Sequence, residues 1–340
     1  MLSNGVFWLV AISLVSGALS LQSTTTYPLT VIGDESSLPH TFENIATRHN
    51  GQLLVTSVVS PYLHQVSPLK ENQVSRVVRV PQTTGLLGIA ELEQDIFYVI
   101  SANLSGASGV PGSNAVWKVD LRNLDLSSEF GAVHVPVSLV AKLPSAGLLN
   151  GMCRMSENST SSLLIADSQA GQIYKLDVHS GSVETTLNET ALKDTQTGLQ
   201  VAANGIHTYK SNVYFTNLNQ GIFGRIPINT QNGRPTGPVD VIVRGVPGDD
   251  FVLSPNGQRA WIAINGHRKL IEVDIAARSA QVVVESSYLA SASAVTLGRT
   301  LLDRNSLYIS SAGVEDPSVG KNNNATGGIV ARVDVLKVTL

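Results

Sequence analysis

Four residues spread along the chain, Glu43, Asn150, Asn204 and Asp250, share one local setting. Each stands at the head of a short, apolar, β-prone run. The phrase is clearest at Val201-Ala202-Ala203-Asn204-Gly205-Ile206-His207, followed by Asn212-Val213-Tyr214-Phe215-Thr216-Asn217 and Gly221-Ile222-Phe223-Gly224. Two carboxylates and two amide carbonyls are hard oxygen donors, a set that suits Ca²⁺, Mg²⁺ or Mn²⁺. A cation held there would polarise a carbonyl or acidify a bound water. Without one, the same residues would cap a wet channel. The pair Asp249-Asp250 offers two carboxylates for one place, and Asp250 is favoured because an apolar strand follows it directly.

These residues act together only if the chain gathers them. The same three-part phrase recurs from residue 42 onward. Its second runs include Gln52–Ser57, Ile96–Ile100, Ser162–Asp167, Arg259–Ile264 and Ser306–Ser310. Its third runs include Tyr62–Val66, Ala115–Asp120, Gly171–Asp177, Lys269–Asp274 and Gly328–Asp334. A weaker fourth run follows most units, as at Val183–Thr186 and Gln281–Val284. The runs are β-branched and aromatic, bounded by Gly, Pro, Asn and Asp, which reads as strands joined by turns. Four strands repeated six times, with a period of about 50 residues, predict an all-β, six-bladed β-propeller with four-stranded antiparallel blades. The propeller is expected over residues 38–340, with the segment 21–37 pairing onto the last blade to close the ring and remove a sheet edge.

In a propeller the starts of the innermost strands and the turns between strands two and three share one face. The six aligned positions are Glu43, Leu86 or Leu87, Asn150, Asn204, Asp250, and Ser291 or Ser293. One side of the mouth is therefore expected to be polar and the other apolar, which suits a partly apolar small molecule. The long turns 101–114 and 311–327 are expected at its rim.

Of 340 residues, 43% are hydrophobic and 14% charged, enough for a large core, and the formal charge of −3 argues against nucleic acid as a partner. Residues 1–20 read as an export signal: an apolar run from Val6 to Val15, then Ala18-Leu19-Ser20 as a cleavage site. Secretion is the expectation, with no membrane attachment after cleavage. Export makes the sequons at Asn103, Asn158, Asn188 and Asn324 candidate glycan sites. The single cysteine, Cys153, cannot form an internal disulfide and reads as a buried thiol. Trp117 and Trp261 read as core. The seven histidines show no metal-binding spacing; His40 and His207 flank aligned positions.

On these motifs the chain resembles the SMP-30/gluconolactonase/LRE-like propellers over residues 38–336. Glu43 in Phe-Glu-Asn, Asn204 in Ala-Asn-Gly-Ile and Asp250 in Asp-Asp-Phe match that family's metal ligands, and Asn150 in Leu-Asn-Gly-Met its additional Asn. The wording Phe42-Glu43-Asn44-Ile45-Ala46 and Gln52-Leu53-Leu54-Val55-Thr56, with the export signal, is most similar to a fungal secreted branch. That branch includes hetero-Diels–Alderases joining a quinone-methide-like tropolone to a humulene-type sesquiterpene. The resemblance implies a pericyclase with Asn150, Asn204, His207 and Asp250 as its active groups and no cofactor required. The alternatives are a divalent-metal-dependent lactonase or esterase, and a non-catalytic ligand-binding propeller.

Overall fold

The structure is a computed structural model that describes residues 27–35, 41–70, 72–124, 133–313 and 327–335. The export signal, His40, Asn324 and most of the 311–327 turn lie outside the described residues.

Strand β1 (Leu29–Asp34) comes first and is used last. The first blade is β2 (Phe42–Thr47), β3 (Leu53–Ser57), β4 (Tyr62–Val66) and β5 (Val74–Arg79). The second is β6 (Gly85–Glu93), β7 (Ile96–Ala102), β10 (Ala115–Asp120) and β11 (Val137–Lys142). A small hairpin, β8 (Leu104–Ser105) and β9 (Ser108–Gly109), rises from its upper turn. The third is β12 (Leu149–Arg154), β13 (Ser162–Asp167), β14 (Gln172–Asp177) and β15 (Val183–Leu187). The fourth is β16 (Ala203–Tyr209), β17 (Asn212–Asn217), β18 (Ile222–Pro227) and β19 (Asp240–Arg244). The fifth is β20 (Phe251–Leu253), β21 (Arg259–Ile264), β22 (Lys269–Asp274) and β23 (Ser279–Glu285). In the sixth, β24 (Ala292–Leu297), β25 (Ser306–Ser311) and β26 (Ile329–Asp334) are completed by β1, which pairs antiparallel with β26. The fold is thus a six-bladed β-propeller of four-stranded antiparallel sheets. Among the described residues no helix is long and apolar enough to cross a membrane.

The sequence makes blades because successive strand residues point to opposite sheet faces, and here both faces are apolar. In β13, Leu163 and Ile165 join the cluster between blades two and three, while Leu164 and Ala166 join that between blades three and four. The same division holds around the ring, so six apolar clusters fill the six junctions between neighbouring blades. Trp117 and Trp261 are buried in two of them, each indole donating within its own blade, to Ser101 Oγ and Glu272 Oε2 respectively, both at 3.0 Å.

A polar cluster fastens blades one and two at the end away from the innermost strands' starts. Arg48, 1% exposed, grips both carboxylate oxygens of Asp95 at 2.9 and 3.0 Å. It also donates to Gln65 Oε1 and to the carbonyls of Leu121 and Leu124. Every arm of this guanidinium has an acceptor, which a buried arginine requires.

Candidate functional site

In each blade the innermost strand begins with an irregularity. The pairing with the second strand slips between Phe42 and Ile45, Leu86 and Ile89, Leu149 and Met152, Ala203 and Ile206, and Ala292 and Ala294. In blade five, Asp249 N donates to Ala263 O at 2.9 Å and Ala263 N to Asp250 O at 3.0 Å, so two residues again face one. These are β-bulges, which bend a strand and re-aim a side chain. The first large apolar residues paired beyond them are Ile45, Ile89, Met152, Ile206, Phe251 and, after the small Ala294 that already pairs with Ser310, Val295. Counting back two residues puts Glu43, Leu87, Asn150, Asn204, Asp249 and Ser293 at one level of the ring. The next residues are Asn44, Gly88, Gly151, Gly205, Asp250 and Ala294. Glycine is needed at Gly151 and Gly205 because a Cβ would strike the neighbouring strand, at Asn204 O and at Asp250 respectively.

Asp249 therefore shares the level of Asn204, and Asp250, favoured from the sequence, sits one residue further along. Asn204 Nδ2 donates to Asp249 Oδ1 at 2.7 Å, and Asn265 Nδ2 to Asp249 Oδ2 at 2.9 Å. Asn204 Oδ1 is buried without a hydrogen-bond partner. Asp250 receives Phe251 N at 2.7 Å and His207 Nε2 at 3.1 Å on Oδ1, and Asn44 Nδ2 at 2.8 Å on Oδ2. Asn150 is 7% exposed, and its side chain makes no hydrogen bond among the described residues. Glu43 is half-buried at the same level. The sequence thus brought Glu43, Asn204, His207 and Asp250 into one cluster with Asn150 in the adjoining position. It passed over Asn44 and Asn265, and weighed Asp249 and set it aside.

Three carboxylates share this small space, and among the described residues no lysine or arginine pairs with them. Burial raises the Glu43 carboxyl well above the usual carboxylate range, and the charges of Asp249 and then Asp250 push it further; Ser293 pulls it down. Burial also lifts Asp249, to about 7, against the hydrogen bonds from Asn265 and Asn204. Burial, with Asp250 nearby, pushes the Cys153 thiol up as well. Such clustering of shifted groups is the electrostatic mark of a functional centre.

The donors fit a hard divalent cation. Among the described residues no three His, Cys, Asp or Glu side chains converge as a ligand group by themselves. The unpartnered oxygen of Asn204, however, is the neutral donor that would complete a set with Glu43 and Asp249.

The apolar side of the mouth differs from expectation. Leu87 takes the aligned position in blade two but is 2% exposed, within the apolar cluster that also holds Val58, Ala102, Ala146 and Leu148. Half-buried Leu104 of the β8–β9 hairpin lies against that cluster. Ser293, not Ser291, fills the sixth position. Of the sequons, Asn158 and Asn188 are exposed, whereas Asn103 Oδ1 accepts from Thr84 N and Oγ1 at 2.9 and 3.0 Å. Two surface depressions, of about 490 and 350 Å³, lie at the Asn158 turn and beneath the Asn103 loop, and contain no residue of the ring.

No protein-family model matches the sequence, and no curated protein matches it. Solved structures do. A luciferin-regenerating enzyme superposes with a TM-score of 0.63 at 14% identity, covering 91% of this chain and 96% of its own. A calcium-binding regucalcin from Agrobacterium tumefaciens strain C58 gives 0.63 at 16% identity over 93% and 98%. The PQQ-bound aldose sugar dehydrogenase of Streptomyces coelicolor gives 0.60 at 14% identity over 91% and 98%. At these identities the likeness is one of fold, a propeller shared with two enzymes and a calcium-binding protein.

Proposed function

We propose that this chain is an exported enzyme of secondary metabolism. It joins a quinone-methide-like tropolone to a humulene-type sesquiterpene by hetero-Diels–Alder cycloaddition at the ring of aligned side chains. The observation that carries this reading is Asn150. Asn150 is 7% exposed, its side chain makes no hydrogen bond to a described residue, and it stands two residues after Leu148 of the apolar junction that also holds Leu87. One hydrogen-bond donor beside hydrocarbon suits a substrate with one reacting oxygen and a greasy body. Holding diene and dienophile together removes much of the entropic part of the barrier. Asn150 Nδ2 donates to the quinone-methide oxygen as charge builds on it. Asp249, lifted to about 7, is protonated in a large fraction of molecules near neutrality and supplies a second donor. The similarity of the Phe42–Ala46 and Gln52–Thr56 wording to fungal hetero-Diels–Alderases supports the same reading.

The test is to mix the purified protein with a generated tropolone quinone methide and humulene. A stereochemically single adduct should form, and Asn150→Ala should slow it by about 10²-fold, the usual cost of one such donor. A racemic adduct formed at the uncatalysed rate would sink the proposal.

The unpartnered Asn204 Oδ1 favours a second reading, a divalent-metal-dependent lactonase or esterase. Glu43, Asn204 and Asp249 would hold the ion, whose role when bound is to polarise the ester carbonyl. Hydrolysis of lactones abolished by EDTA selects this reading; cycloaddition directed by shape survives the chelator. A ligand that raises Tm without turnover would instead mark a binding propeller.

A further inference from the structure

We propose that Asp250, strung between Asn44 and His207, closes the central channel beneath the ring, so that the mouth is a blind cup whose depth Asp250 sets. The carboxylate belongs to blade five. It is bonded on one side to Asn44 Nδ2 of blade one at 2.8 Å and on the other to His207 Nε2 of blade four at 3.1 Å. In a ring of six, the first and fourth blades face each other. Asp250 itself leans on neighbouring blade four, where a Cβ at Gly205 would strike it, so its bond to Asn44 reaches past blade six to blade one. At this level blades two, three and four carry Gly88, Gly151 and Gly205 and blade six carries Ala294, so only Asn44 and Asp250 have side chains long enough to meet there.

The strut is built to hold its shape. Asn44 Oδ1 accepts from Ile45 N at 3.0 Å, which turns the amide so that its NH₂ faces Asp250. Phe251 N fixes Asp250 Oδ1 at 2.7 Å, and the Phe251 ring meets His207 edge-on, with centroids 4.8 Å apart and planes at 77°. With three donors on its two oxygens and 6% exposure, Asp250 is a positioning residue. Asp249, one level nearer the mouth, carries one amide donor on each oxygen. The consequence for specificity is direct: a molecule bound at the ring enters and leaves by one end and reaches no deeper than Asp250. This holds whichever reaction the mouth carries out.

The only cysteine reports on the strut. Cys153 is buried in the junction of blades three and four together with Ile206, the residue before His207, and its ionisation is suppressed by burial and, secondarily, by the charge of Asp250. The probe is N-ethylmaleimide on the folded protein, followed by intact mass. Rates are compared per thiolate, from the pH dependence of labelling, so that loss of a neighbouring charge does not pass for opening. In the wild type Cys153 should stay unlabelled. Asp250→Gly, which installs the residue of three other blades, should label on the order of tenfold faster or more while keeping the native circular dichroism spectrum. His207→Ala, which removes one end of the strut and leaves Asp250, should also speed labelling; it serves as the deciding variant if Asp250→Gly does not fold. Two results overturn the inference: wild-type Cys153 labelled as fast as a free thiol, or a folded variant with the channel side chain removed in which Cys153 remains as protected as before.

Discussion

The two ends of the propeller axis bury charge in opposite ways. At the far end, Arg48 and Asp95 are both almost wholly buried, and each charge is matched, with remaining donors met by Gln65 and two backbone carbonyls. At the mouth, Glu43, Asp249 and Asp250 crowd together with only amides, a hydroxyl and one histidine around them. A buried charge that is paired holds a fold together. Buried like charges strain it, and the strain is relieved only by protons or by something that binds. The first arrangement is structure; the second is capacity.

That contrast can be broken most forcefully at the far end. Arg48→Ala should leave Asp95 charged and buried, lowering stability by about 3–5 kcal/mol in denaturant unfolding. The mouth should respond with the opposite sign. Glu43→Gln removes one of three repelling carboxylates and should raise the Tm of metal-free protein at pH 7.5, whereas a mouth that behaved like the far end would lose stability.

The pH dependence follows from the same cluster. An unfolded aspartate titrates near 4, whereas folded Asp249 titrates at about 7. Between those values the folded state binds more protons than the unfolded one. Stability therefore falls as pH rises from about 4 to 7, and acidifying metal-free protein from pH 7.5 to 5 should recover on the order of a few kcal/mol. Unfolding free energies unchanged over that window would show the carboxylates to be neutralised some other way.

Under the metal-dependent reading, a divalent cation such as calcium should act on the mouth alone. At about 100 times its dissociation constant it would add about 2.7 kcal/mol of stability at neutral pH, and Asn204→Ala should lose that gain. The smallest effect sharpens the comparison by its absence. Lys175 and Glu184 pair at 3.2 Å with the glutamate half in solvent, so Lys175→Ala should change stability by less than about 1 kcal/mol in the same assay.

The repeat was easy to read because each strand must bury both faces. Runs such as Leu163-Leu164-Ile165-Ala166 have little freedom to be anything other than interior strands. The site was harder. Glu43, Asn150 and Asn204 stood out because a polar residue before an apolar strand breaks the pattern. Between Asp249 and Asp250 the apolar strand that follows favours Asp250, whereas the bulge, visible only in the structure, sets the register from Phe251. Aligning Asn204-Gly205-Ile206 with Asp249-Asp250-Phe251 on the apolar residue would have recovered Asp249. Asn44 and Asn265 were illegible in principle. Their importance lies in partners 206 and 16 residues away, and only the closed ring brings Asn44 to Asp250.

The pairing of β1 with β26 has a temporal side. Strand β1 leaves the ribosome long before Ile329–Asp334 and must wait for it before it has a neighbour in its own sheet. Until the two pair, blade six lacks its outer strand, and the free edge of β26 is open to another chain. Contacts between opposite ends of a sequence form late and slow the whole process. The last step in building this molecule is therefore a clasp, and a protease or fusion that disturbs residues 29–34 should act on the yield of folded protein well before it acts on anything bound at the mouth.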